Sequence, residues 1–316
     1  MNEQVVPAGA EGAPDVAVEA NSPGTTAKST PQKTPMFSAT NAHRYQRQEL
    51  IKRIRQTLGR PLICYVAGIG TAINRDDVVA LVDLLHNIPR DTDLDFLLHT
   101  PGGDIDAAEK LITLVRTVVG EKTLRVIVPD FAKSAGTLVA LGADRIVMSN
   151  SSELGPIDPQ ITLNDGQGNL IQYSVQSYLD AYEAHSMTLQ KSPGDVAAQI
   201  MLNKLDPARL KLFEAARLRA RSCAEHLLRR WMFGRATGAI NITHIAGQLI
   251  DTKKWQSHGQ MINHEHAKDI GLSVEYLDHE SAEWQLFWQL YCHQRLAITT
   301  KQKLFESDYA SLTFDI

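Results

Sequence analysis

Cysteine is scarce in this chain of 316 residues: there are three, Cys64, Cys223 and Cys292. Their number is odd, they lie far apart, and no CxxC pair occurs. The pattern argues against a disulfide framework and against a cysteine-rich zinc site, and fits a reducing, cytoplasmic setting. An excess of positive charge is also lacking. The formal net charge is −4, so no basic field marks a nucleic-acid partner. Long apolar runs are missing as well: no stretch approaches the roughly eighteen uninterrupted apolar residues that a membrane span needs. The N-terminus has no basic segment leading into an apolar one, which argues against a secretory signal.

What is present is an ordinary composition, 43% hydrophobic and 22% charged, sufficient for one large domain or two small ones. About the first forty residues are rich in Ala, Gly, Pro, Ser and Thr, and the only charges before Lys28 are acidic. Such a segment buries too little surface to offset its ordering entropy, so residues 1–40 read as a disordered tail.

Beyond the tail, apolar runs and helical patterns alternate. "AHRYQRQELIKRIRQT" from Ala42 reads as a polar helix and "PLICYVAGIG" as a buried strand at 61–68. "RDDVVALVDLLHNI" has helical spacing, with Val78, Val79, Leu81, Val82, Leu84 and Leu85 on one broad face. "LDFLLHT" is a second strand, and "DIDAAEKLITLVRTVVG" is a helix closed by Gly120. "TLRVIVPD", "SAGTLVALGA" and "DRIVMS" add a strand, a short helix and a fourth strand. Strand cores apolar on both faces predict an α/β fold with a parallel sheet. After residue 160 the pattern predicts two short β segments around "NDGQGN", then helices, among them a long one starting at Asp206–Pro207. Residues 276–316 read as a C-terminal helical arm.

In a parallel sheet the sites lie beyond the carboxyl ends of the strands. Two segments fall there, "HTPGGD" and "DFAKSAGT". Ser134 opens a helix, so it is either an N-cap or a nucleophile at a strand-to-helix turn. Gly102 and Gly103 form either a plain tight turn or a loop whose backbone N–H groups face a ligand. Taken together, a serine hydroxyl and free N–H groups from two neighbouring helix starts make a nucleophile with an oxyanion hole.

"LLHTPGGDIDAAEKL", "VPDFAKSAGTLVALGADRIVMS" and "SELGPIDPQ", with the later "SHGQMINHEHAKDIGL", resemble the Clp-fold serine proteases of the Clp/crotonase superfamily. They are most similar to the serine dehydrogenase proteinases, relatives of signal peptide peptidase A. The resemblance covers roughly residues 58–275. It implies a Clp/crotonase-like domain over residues 41–275, a serine endopeptidase with Ser134 as nucleophile, and Gly103 and Ala135 as oxyanion donors. Gly102 would support the turn. It also implies a homo-oligomer acting on a polypeptide substrate, without cofactor or metal. Two rival functions share the fold, an acyl-CoA enzyme of the crotonase type and a non-catalytic scaffold. A serine at the helix start favours acyl transfer.

Clp protease has a histidine after the fourth strand, where this chain reads "NSSELGPIDPQ". A Ser-His-Asp triad on that plan is therefore not expected, and the peptidase A branch points instead to a lysine general base. A lysine must be neutral to accept a proton, which requires desolvation. Lys133 adjoins the serine and should point elsewhere. Lys191 lies in a Ser-Pro-Gly loop. Lys204, between Leu202 and Leu205 and just ahead of a helix, is the favoured base, against the alternative of a solvated side chain. Asp158 either orients a base or caps a turn before Pro159, the turn being the commoner role. His99 either lines the cleft or packs. His258, His264 and His266 lack the i, i+4 spacing of a helical metal pair. Trp284, Phe287, Trp288, Leu290 and Tyr291 read as a core or subunit face, and an exposed aromatic helix would suit self-contact.

Overall fold

The computed structural model describes residues 33–164 and 167–315. The chain divides into two units, residues 1–40 and 41–316. Most of the tail expected at the N-terminus, residues 1–32, lies outside the described residues. The described end of the first unit is a short helix, α1 (Pro35–Thr40).

The second unit begins with α2 (Ala42–Leu58) and then alternates strand and helix: β1 (Leu62–Ala67), α3 (Asp77–Leu85), β2 (Leu94–His99), α4 (Ile105–Val119) and β3 (Leu124–Ile127). The two-residue strand β4 (Phe131–Ala132) leads into α5 (Ala135–Leu141), followed by β5 (Arg145–Met148) and the short β6 (Glu153–Leu154). A hairpin of β7 (Gln160–Asn164) and β8 (Leu170–Ser174) precedes α6 (Val175–Lys191), α7 (Val196–Asn203) and α8 (Pro207–Leu227). A π-helical turn at 228–232 continues α8. Then come α9 (Ile242–Ile250), α10 (Thr252–Trp255), α11 (His264–Ile270), β9 (Val274–Tyr276), α12 (Ala282–Leu296), β10 (Gln302–Glu306) and β11 (Ser311–Asp315).

Seven strands form the main sheet in the order β11-β10-β1-β2-β3-β5-β9. The five strands from β1 to β9 run parallel, while β10 and β11 are antiparallel. The α/β expectation with a largely parallel sheet is therefore met. The two-faced apolar pattern has a direct cause. Along β1, Ile63, Tyr65 and Ala67 enter one core with α3, α4, α5, α8 and α9, whereas Leu62, Cys64 and Val66 enter a second core with α2 and α12. Every residue of β1 and β2 is buried, as a strand covered by helices on both faces requires.

Helix ends follow local chemistry. The Asp104 carboxylate accepts a hydrogen bond from the Ala107 amide at 2.6 Å and starts α4. Asp206 does the same for the Ala208 amide at 2.8 Å, with Pro207 in the first turn of α8. Helix α5 is buried all round. Leu138, Val139 and Leu141 each gain about 1.5–3 kcal/mol from that burial, which makes α5 a rigid mount for the residue before it.

The structure differs from the sequence pattern at two places. On α3, Val79 and Val82 are exposed while Ala80, Leu81, Leu84 and Leu85 are buried, so the packed face is narrower than the apolar spacing implied. The last forty residues are not an arm. Helix α12 packs in the second core, and β10 pairs with β1 from Cys64↔Glu306 to Ala67↔Lys303. Trp284, Phe287, Leu290 and Tyr291 are buried within the chain, so this helix does not offer its aromatic face for self-contact.

Candidate active site

Two loops leave the carboxyl edge of the sheet side by side. After β2, the chain turns through Gly102 (φ +107) and Gly103 (φ +148). A Cβ on Gly102 would stand 2.8 Å from both the Lys133 oxygen and Ser134 Cβ. A Cβ on Gly103 would collide with the backbone of Ile73. Only glycine permits both the left-handed backbone and this approach. Ile73 clamps the loop: its amide donates to the Gly102 carbonyl at 2.7 Å, and its carbonyl accepts from Asp104 at 2.9 Å. The Gly103 amide is left without a hydrogen bond among the described residues.

After β3 and β4 comes Ser134, at φ 50 and ψ −115. These are the angles of the first central residue of a type II′ turn, a place that favours glycine. The Gly136 amide closes the turn on the Lys133 carbonyl at 2.7 Å. A Cβ at Gly136 would lie 2.5 Å from Thr100 Cγ2, so this glycine lets the turn pack on the neighbouring strand. The Ser134 hydroxyl makes no cap hydrogen bond. The serine is thus held in a costly conformation, of order 1–3 kcal/mol, without acting as a cap. Ala135 is the first residue of α5, and its amide has no partner within the helix.

Ser134 lines a cleft of about 760 Å³ together with Ile73, Gly102, Gly103, Leu138, Ile157 and His258. His258 Nδ1 lies 2.8 Å from Asp158 Oδ1. Asp158 is 2% exposed, and its second oxygen lies 3.5 Å from Gln160 Nε2. With Nδ1 on the carboxylate, His258 carries its Nε2 free of hydrogen bonds among the described residues. Serine and histidine open on the same cleft with no direct hydrogen bond between them.

Residues 47–200 match the family described as ClpP-like SDH-type serine proteinase. Over that stretch the chain is similar to this family. The uncharacterized protein MJ0137 of Methanocaldococcus jannaschii is 39% identical over 89 residues, 28% of this chain and 30% of that protein. A second from the same organism, MJ1495, is 34% identical over 110 residues, 35% of this chain and 34% of its own length. The chain therefore spans about a third of the curated relatives it matches. A solved structure of a mutant ClpP1 from Listeria monocytogenes superposes with a TM-score of 0.37 and 13% identity, covering 72% of this chain and 97% of that one.

The SDH-type segment contains Gly103, Ser134, Ala135 and Asp158, and the structure brings these four to one edge of the sheet. His258 comes from beyond the matched residues, 100 positions after Asp158. Lys204 is not brought to them. It is exposed at the end of α7 and lines no part of the cleft, and Leu202 and Leu205 beside it are only half-buried. The desolvation expected of a lysine between leucines is absent there. Lys191 is exposed at the end of α6. Lys133 turns its ammonium to Glu153 Oε2 at 3.1 Å.

His99 packs in the other core, its ring centroid 4.0 Å from Phe131 and 5.0 Å from Tyr291. Burial, with the Arg295 charge behind it, pushes its pKa down to about 3. The three late histidines have separate partners: His264 stacks on Tyr276, His266 meets Trp255 edge-on, and His258 binds Asp158. No group of three or more metal-ligating side chains converges among the described residues. No helix among them is long and apolar enough to cross a membrane.

Proposed function

We propose that this chain is a serine peptidase that cleaves peptide bonds through an acyl-enzyme on Ser134, with His258 as general base and Asp158 as its orienting partner. The observation that carries the reading is Ser134 itself, held at positive φ with an uncapped hydroxyl in the cleft that His258 lines. Strain kept at a serine that does not cap its helix points to function.

In this reading His258 Nε2 takes the hydroxyl proton as Ser134 Oγ attacks the scissile carbonyl carbon. The carbonyl oxygen becomes an oxyanion facing the amides of Gly103 and Ala135. His258 then delivers its proton to the leaving amine, and the C–N bond breaks. Water repeats the sequence on the ester: it loses a proton to His258, attacks, and releases the acid as Ser134 recovers its proton. The gap between serine and histidine closes when substrate excludes water, as hydrogen bonds in empty sites often do.

A peptide suits the cleft because Gln160, Ile161 and Thr162 of β7 line it. β7 pairs only with β8 among the described residues, so its other edge can hydrogen-bond an extended chain.

The test is labelling by a fluorophosphonate probe, alongside hydrolysis of a casein-type substrate. Wild-type protein should label, and Ser134→Ala should not. His258→Ala should label at least about a hundredfold more slowly, the scale of a lost general base. Lys204→Ala should match wild type. Full labelling of Ser134→Ala would refute the nucleophile. A dead Lys204→Ala beside an active His258→Ala would return the base to lysine. A wild type that neither labels nor hydrolyses would leave the scaffold reading.

A further inference from the structure

The side chain immediately before the nucleophile has no part in the mechanism above, yet it is among the best-held lysines of the molecule. Lys133 is 14% exposed at its side chain, and its ammonium meets Glu153 Oε2 at 3.1 Å. It also donates to three backbone carbonyls: Leu154 at 3.3 Å, Gly259 at 3.4 Å and Gln260 at 3.3 Å. Gly259 and Gln260 are the two residues that follow His258. Resting on the reading of His258 as base, we propose that Lys133 is a positioning residue that ties the loop carrying His258 to the turn carrying Ser134.

Three features support the assignment. First, the site is built for this side chain. A Cβ at Gly155 would lie 2.7 Å from Lys133 Cδ and 3.2 Å from its Cα, so the glycine leaves the room through which the lysine stem passes. Second, the donor geometry matches. An ammonium offers three donors, and here they are shared among one carboxylate and three carbonyls of two segments, 153–154 and 259–260. A guanidinium keeps its donors in one plane and differs from an ammonium in shape, so arginine is not an equivalent here. Third, three segments of the chain meet at this ammonium. β4 pairs with β6 through Phe131↔Glu153 and Ala132↔Leu154. Leu154 exchanges both backbone hydrogen bonds with Ile262, at 2.9 and 3.0 Å. The strand leading to Ser134, the strand leading to Asp158 and the loop bearing His258 are thereby joined within a few ångströms.

The loop needs such a tie. His258 is 30% exposed at its side chain, and its hydrogen bond to Asp158 is the only one its ring makes among the described residues. Without Lys133, the carbonyls of Gly259 and Gln260 lose their donor, and the imidazole is anchored at one point. Misplacing a base by about an ångström can cost on the order of a hundredfold in rate.

A double-mutant cycle on the full chain separates positioning from plain structural support. Second-order fluorophosphonate labelling rates would be measured for wild type, Lys133→Met, His258→Ala and the double variant. High probe concentrations and long incubation keep the slow rates measurable. Lys133→Met should slow labelling at least about tenfold with a melting temperature within a few degrees of wild type. In the His258→Ala background the same change should alter the rate less than about twofold, because there is no base left to misplace. Amide exchange of residues 257–262 should accelerate in Lys133→Met while β1 to β3 stay protected. Equal slowing in both backgrounds, or unchanged exchange of the loop, overturns the proposal. If His258→Ala labels at the wild-type rate, the base reading itself falls, and this proposal with it. Should Lys133→Met not fold, Lys133→Gln keeps much of the stem and a donor and runs the same cycle. A collapse of the melting temperature in both variants would show a fold staple and overturn the positioning role.

Discussion

At the scale of the residue, the site depends on backbone positions that side chains dislike. Ser134 sits at φ 50, and Gly102 and Gly103 at +107 and +148. Gly102 bears directly on the serine, since its missing Cβ leaves the space that Ser134 Cβ and the Lys133 carbonyl approach. Gly102→Ala should therefore displace the turn that carries Ser134. The expected result is at least about a tenfold loss of fluorophosphonate labelling and destabilisation of about 1–3 kcal/mol, read as a lower urea midpoint. Labelling at the wild-type rate would show that the close approach has no consequence for the serine. This part of the site was legible in the sequence because it is local: "TPGGD" and "KSAGT" each announce a turn into a helix. The pairing of His258 with Asp158 was not legible. The two lie 100 residues apart, and no spacing rule links them. In the sequence alone, Asp158 reads either as a base-orienting residue or as a turn cap. In the sequence alone, His258 reads only as a candidate metal ligand. The useful signal was weak, a histidine in the polar turn "SHGQM" rather than on a helix face.

At the scale of the element, the strands determine which side chains reach the cleft and which do not. Alternation along β2 sends Leu94, Phe96 and Leu98 to one core and Leu97 to the other, where His99 meets α12. His99 ends its strand next to the Gly-Gly loop, yet faces away from the cleft. Sequence position placed it at the right edge but did not specify the face. Its buried ring has a pKa lowered to about 3. Asp130 is 3.8 Å away, but its side chain is 40% exposed and accepts from the Tyr291 hydroxyl at 2.7 Å, so it does not offset burial. The linkage has a definite sign. Unfolded, the imidazole takes up a proton below its ordinary value of about 6.5, while folded it stays neutral down to about 3. Stability from this group is thus fully present above about pH 6.5 and is lost as pH falls toward 3, at about 1.4 kcal/mol per pH unit. His99→Leu should flatten the acid side of the stability profile by that slope, measured as urea midpoints from pH 7 to pH 4. An unchanged slope would mean that His99 titrates normally in the fold.

At the scale of the whole molecule, the C-terminal hairpin reaches the edge of the candidate active site through buried charge. The sequence pattern predicted four of the five parallel strands, β1, β2, β3 and β5, because each is rich in apolar residues, and it missed the short, half-buried β9. It also failed for β10, "QKLFE", whose Lys303 and Glu306 read as surface residues. Both are buried because each has a partner distant in sequence. Glu306 meets Arg47 at 2.9 Å, and Lys303 Nζ meets Asp77 Oδ1 at 2.7 Å. Asp77 also accepts from the Tyr65 hydroxyl at 2.9 Å and from the Asn74 amide at 3.0 Å. Asn74 follows Ile73, whose backbone clamps the Gly102–Gly103 loop. A path of direct contacts therefore runs from β10 through Asp77 to the proposed oxyanion donor. Removing one partner of such a pair leaves the other charge buried and alone, which costs about 3–5 kcal/mol. Lys303→Met should lose stability on that scale, seen as a lower urea midpoint. Its labelling rate should also fall, because the uncompensated Asp77 can no longer hold the 73–74 segment without strain. Asp77→Asn added to Lys303→Met removes the lone charge while keeping an acceptor for Tyr65 and Asn74, so the double variant should be more stable than Lys303→Met. A Lys303→Met protein as stable and reactive as wild type would show that the hairpin and the site are independent. A double variant weaker than either single would show that the carboxylate itself, rather than its pairing, anchors the loop.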